Sequence, residues 1–221
     1  KSGIYDAGNI SFSDFVYNPQ NDEVVSLIIK GKGFMDSLIV SSKNLMIQKI
    51  QAAEMNVRLK GQVITVKDSI EAVNVMIEAG DDDTLVSTDN PLPGSISDKI
   101  SLGDEMDASV MDIVTNAKII LEKGSNIKAG GSVVMKAVSS QKNNLVPFVE
   151  GANIINVKIG NAVISILGNI EAGGAVEATA SSTVNVAASN ETLAKYYIPL
   201  AAGILVSEAR VETGKDSVIT A

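Results

Sequence analysis

The stretch NAVISILGNIEAGGAVEATA, residues 161–180, decides the fold. It holds a short apolar-rich strand, a Gly-Asn turn, the triplet Ile170-Glu171-Ala172, a Gly173-Gly174 corner and a second strand ending in Ala180. Alternate side chains of such a strand point to opposite faces, so one face meets a core and the other meets water or a second layer. Glycine suits a sharp corner because it accepts positive φ without a Cβ clash.

The stretch has relatives within the chain. GQVITVKDSIEA (61–72), NAKIILEKGSNIKA (116–129) and EARVETGKDSVITA (208–221) match NAVISILGNIEA (161–172), each closing on Ala72, Ala129, Ala221 or Ala172. VNVMIEA (73–79) and GGSVVMKA (130–137) continue two of them as GGAVEATA (173–180) continues the third. Self-similarity of this kind marks a solenoid, in which each repeat buries its apolar face only against its neighbours. The spacing is 43 residues from Ala129 to Ala172 and 49 from Ala172 to Ala221. That period fits two coils of about 20–25 residues each. Equivalent Ile, Val and Ala side chains then stack along the axis.

The expected fold class is therefore all-β, a parallel β-helix with loop insertions. Solenoid coils are expected over 1–79 and 108–221, separated by a junction at 80–107. In the less regular first part, SLIV (37–40), LMIQKI (45–50) and MNVRLKG (55–61) read as strands, with Phe12, Phe15 and Tyr17 packing over the first coil. Met46, Met55, Met76 and Met135 read as core filler. Helical spacing competes over 107–122, through Val110, Ile113, Val114, Ala117 and Leu121, and over Glu71–Glu78 and Glu191–Tyr197. Strand is preferred for 107–122, because its second half aligns with the repeats.

Composition agrees. Hydrophobic residues make up 45% of 221, yet aromatics are only 4% and Trp is absent. Small and β-branched side chains suit thin stacked layers and extended backbone. Without cysteine there is neither disulfide nor thiolate metal site, and an export route that requires an unfolded chain meets no obstacle. Without histidine the commonest general base is missing. The net charge of −8 argues against nucleic-acid binding. The chain opens on Lys1-Ser2-Gly3 with no signal-like apolar run and stops at Ala221 within a repeat, the pattern expected of an internal fragment.

Three segments break the period. Residues 80–107 carry eight acids against Lys99, nearly the whole net charge, and read as a solvated acidic loop. The functional alternative there is calcium, because Asp81, Asp82 and Asp83 set hard oxygen ligands close together. NNLVPFVEGANIINV (143–157) and LAKYYIPLAAGILV (193–206) are apolar insertions around Pro147 and Pro199, too short and too interrupted to span a membrane. Each reads as a bulge packed on the shaft, or else as a contact patch for a partner chain or host surface anchored by Phe148, Tyr196 and Tyr197.

The pattern N-A-x-I/V…G-N-I-x-A-G-G-x-V…A, followed by Ser181-Ser182 and a VNV strand at 184–186, resembles the shafts of large filamentous adhesins of Gram-negative bacteria. These are the filamentous-haemagglutinin-like and leukotoxin-like exoproteins and the autotransporter passengers. The resemblance covers 116–221 well and 37–79 loosely. It implies a right-handed parallel β-helix, secretion across the outer membrane to the bacterial surface, and a role in attachment or biofilm. It implies no catalytic residues and no cofactor. Two other functions compete: a polysaccharide-active enzyme, which needs carboxylates gathered on one sheet, and a solenoid that assembles end to end.

Overall fold

A strand with period-two alternation has one dry face, and that face must meet a second sheet. The computed structural model describes residues 2–6, 14–30, 37–80, 96–101, 107–144, 153–187 and 201–221. The regular elements among them are all strands. The first eight are β1 (Ser2–Asp6), β2 (Asp14–Tyr17), β3 (Val24–Lys30), β4 (Ser37–Ser41), β5 (Asn44–Ala52), β6 (Asn56–Gly61), β7 (Val63–Ala72) and β8 (Val75–Ala79). Then follow β9 (Ile96–Ser101), β10 (Asp107–Leu121), β11 (Asn126–Ala129), β12 (Val133–Asn144) and β13 (Asn153–Ile166). The last are β14 (Asn169–Ala172), β15 (Val176–Ala187), β16 (Ala201–Thr213) and β17 (Ile219–Thr220).

The strands form two sheets with parallel pairing throughout, except where β9 lies antiparallel to β10. The first sheet runs β1-β3-β5-β7-β10-β13-β16, and the second is the six-stranded array β15-β12-β8-β6-β4-β2. The chain alternates between the sheets and advances one strand at each visit. This is the parallel solenoid that the internal repeats predict.

In-register pairing stacks like on like. Leu45, Ile64, Ile119 and Ile164 form one column of the first sheet, and Ile50, Ile70, Ile127 and Ile170 form another. In the second sheet Leu38, Val57, Val75 and Val133 stack, as do Val40, Leu59, Ile77 and Met135. All of these side chains are buried in one core cluster. Each buried Leu or Ile contributes roughly 1.5–3 kcal/mol by leaving water, so columns held across neighbouring windings carry the fold. Phe15 and Tyr17 pack half-buried against this core over the first coil.

The windings differ in size. Arg58 and Glu78 sit on adjacent strands 20 residues apart, whereas Asn116 and Asn161 sit on adjacent strands 45 residues apart. Ala129 lies directly against Ala172. The period of 43 residues is thus one wide coil and not two narrow ones. The difference comes from the stretches expected as apolar insertions. Asn143 and Asn144 belong to β12, Asn153–Val157 to β13 and the residues from Ala201 to Val206 to β16, each in parallel register with its neighbour. Their backbones prolong the ladders that the repeats begin. Likewise 107–122, where helical spacing competes, is strand β10 through Leu121, and Glu71–Glu78 lies in β7 and β8.

Where the coils widen, hydroxyl groups join the two sheets. The Oγ atoms of Thr115 and Ser139 lie 2.7 Å apart, Ser182 Oγ donates to the Gly160 carbonyl at 2.9 Å, and Ser207 Oγ donates to the Ser182 carbonyl at 3.0 Å. Ser139 is fully buried, and its pairing with Thr115 satisfies it there.

Two expectations need correction. The corner glycines do not serve positive φ: among described glycines only Gly80 and Gly124 have it. A Cβ on Gly173 would instead fall on the carbonyl oxygen of Gly130 in the winding below, so the corner needs glycine for close approach. Of the four methionines, Met55 and Met135 are core filler, but Met76 lies on the outer face of β8 at 36% exposure and Met46 is only half-buried. Strand parity, not residue type, decides which way a methionine faces.

Candidate functional site

The fold's most irregular place is the step from narrow to wide coils. Strand β8 ends at Ala79, opposite Ala137, while its neighbour β12 runs on to Asn144. In the other sheet β7 begins opposite Lys118, while β10 has already run from Asp107. Strand β9 pairs with the first residues of β10, covering an edge that the shorter β7 does not reach.

At this step a cleft of about 430 Å³ opens along the corner between the sheets. Four successive layers of chain line it. The corner after β4 gives Ser41, Ser42 and Lys43, the end of β6 gives Lys60 and Gln62, and β8 and β12 give Glu78, Gly80, Lys136 and Val138. Strand parity sends Lys60, Glu78 and Lys136 to the outer face, and register places Glu78 directly between the two lysines.

Glu78 is the one carboxylate among the lining residues, and it is engaged. Arg58 Nε donates to its Oε2 at 2.6 Å, while Lys60 Nζ stands off at 3.9 Å. The Arg58 hydrogen bond holds the Glu78 carboxyl below its ordinary pKa, against the opposing effect of burial, with the charges of Arg58, Lys60 and Lys136 adding to the lowering. The same bond raises Arg58. Lys43 makes no ion pair among the described residues. Among the described lining residues, lysines outnumber carboxylates by three to one.

A second charged strip lies on the outer face of the first sheet. Arg210 Nε is 3.4 Å from both Glu208 and Glu212, beside a shallow groove that includes Lys118 and Asn161. Its ionic groups neutralise one another at the surface, where such pairs add little.

The residues singled out from sequence, Asp81, Asp82 and Asp83 for calcium and Phe148, Tyr196 and Tyr197 for partner contact, lie outside the described residues. So do Phe12 and the segment Glu191–Tyr197. Among the described residues no group of three or more acidic side chains could hold a metal, and no helix is long and apolar enough to cross a membrane. The cleft escaped sequence reading because its lysines come from three separated segments. One signal for it is present in the repeats: Lys60, Glu78 and Lys136 each precede an equivalent small residue, Gly61, Ala79 or Ala137.

No protein-family model, curated protein or solved structure matches the chain.

Proposed function

We propose that the chain is a structural and adhesive shaft segment of a large, secreted or surface-exposed bacterial protein of the filamentous-adhesin kind. It holds binding regions away from the cell and attaches to a host-cell or matrix surface, or to neighbouring adhesin chains. The observation that carries this reading is the parallel pairing that runs from β1 to β16, shifted locally only at β3, β5 and β7, with one core of buried side chains from β3 to β14. Such an object grows by adding windings, each stabilised by the last, and so makes length rather than an enclosed pocket. A core of Val, Ile, Leu and Ala without cysteine suits a chain exported unfolded and wound afterwards.

The test is direct attachment. Beads coated with the purified chain are expected to bind cultured epithelial cells or immobilised extracellular matrix above beads coated with an unrelated acidic protein, and soluble chain is expected to compete. Binding at the control level overturns the reading. Steady release of new reducing ends from polygalacturonate or a related glycan overturns it in favour of an enzyme.

The self-assembling alternative has one observation in its favour. On the last described windings Leu205, Val206, Val211, Val218 and Ile219 are 42–58% exposed, apolar surface that another winding would cover. Sedimentation velocity across a hundredfold range of concentration decides it: a constant sedimentation coefficient dismisses self-assembly.

A further inference from the structure

We infer that each wide winding is two cooperative units joined by a hydroxyl clasp: a body continuous with the narrow coils, and a flange that unfolds and refolds while the body stays wound.

The first argument is the taper of the core. Inward side chains shrink along the strands that approach the clasp. Ile119 gives way to Ala117 and then Thr115 on β10, Ile164 to Ala162 and then Gly160 on β13, and Met135 to Ala137 and then Ser139 on β12. A Cβ on Gly160 would come within 2.7 Å of Val184 Cγ2 and 2.8 Å of Ser182 Oγ. The two sheets touch there, with no room for a side chain between them.

The second argument is what crosses that line. Register sets two facing columns, Thr115-Gly160-Ser207 and Ser139-Ser182. They are joined by the Thr115 and Ser139 hydroxyls at 2.7 Å, by Ser182 Oγ donating to the Gly160 carbonyl at 2.9 Å, and by the Ser207 and Ser182 hydroxyls at 2.9 Å. Water replaces a hydroxyl's hydrogen bonds when the contact opens, whereas nothing in water replaces the burial of an Ile column. The clasp therefore opens at less cost than the body, and a fold divides into separately opening units along such a boundary.

The third argument is that the body does without a flange elsewhere. The narrow windings close at this same line. Gly80 N donates to the Gly61 carbonyl at 2.7 Å, and a Cβ on Gly80 would fall on the Val138 carbonyl oxygen, beside Ala117. Past the clasp the flange has ladders of its own. Strands β12 and β15 run on together to Asn144 and Ala187, and β10, β13 and β16 arrive from Asp107, Asn153 and Ala201.

The test is hydrogen exchange, read by mass spectrometry, on the full chain and two variants. The chain has no cysteine of its own, so T115C with S139C locks the clasp when oxidised and frees it when reduced. S182A removes the hydroxyl contacts to Gly160 and Ser207. Oxidation is expected to slow exchange at 141–144 and 183–187 at least tenfold and to leave 63–72 and 126–129 within twofold. S182A is expected to speed the first pair of segments severalfold and to leave the second pair unchanged. An equal change in both pairs means one cooperative unit and overturns the inference. So does an unaltered flange in either variant. Should the disulfide not form, S182A decides alone by the same criterion.

Discussion

Asn161 stands one winding above Asn116, its Nδ2 donating to the Asn116 Oδ1 at 3.0 Å across 45 residues of chain. Parallel in-register stacking places a residue over its own equivalent, and a carboxamide can meet its own kind because it carries both donor and acceptor. Replacing either by alanine leaves the other half-buried without that partner. N161A and N116A are each expected to lower stability by about 1 kcal/mol, and the double variant by clearly less than their sum, read from urea unfolding. Additive losses would mean that the contact contributes nothing.

The corner glycines give a sharper contrast. Gly173 has the Gly130 carbonyl where a Cβ would go, while Gly124, at φ +87, has nothing within 4 Å of that position. G173A is an overpacking change and is expected to cost about 2–3 kcal/mol. G124A meets only the left-handed backbone penalty, about 1 kcal/mol. Equal losses for the two in thermal melts would show that the corner relaxes and that close approach is not what selects glycine.

The fold was legible because its repeats carry their register in plain residues. Ala72, Ala129 and Ala172, which close three of the repeats, are adjacent in space. The length of a winding was not legible. Val157 and Ile159 lie in the same strand and ladder as Ile164, but Pro147 and Pro199 near the start of such runs resemble the punctuation of an insertion. Nothing local distinguishes a long strand after a proline from a bulge. The cleft was hidden for a related reason. A lysine on an outer face is commonplace, and Lys60 and Lys136 become a pair only once β8 is known to lie between β6 and β12.

The core columns predict a gradient of sensitivity. Ile119 is fully buried between Ile64 and Ile164, while Val211, next in the same column, is 44% exposed. I119A is expected to cost about 3 kcal/mol, because deletion leaves a cavity walled by its neighbours. V211A is expected to cost below about 1 kcal/mol. Hydrogen exchange is expected to show I119A loosening the windings of β7, β10 and β13 first, since stability in a solenoid is shared between neighbours. Uniform loosening of every described strand would contradict that.

The Arg58–Glu78 pair sets a dependence on acidity whose direction follows from the lowered Glu78 pKa. A carboxyl whose pKa is depressed on folding adds stability that is fully present above its unfolded value. That stability fades as the pH falls past the unfolded value and through the folded one. The pair is partly exposed, with side-chain exposures of 41% for Arg58 and 25% for Glu78, so screening limits its worth to about 1 kcal/mol. E78Q is thus expected to be less stable than the parent chain at pH 7 by up to that amount. The gap should close in acid, where the parent's Glu78 is protonated as well. Urea unfolding of both proteins from pH 7 down to pH 3 measures it, and a gap that persists unchanged in acid would trace the loss to packing of the side chain and not to its charge.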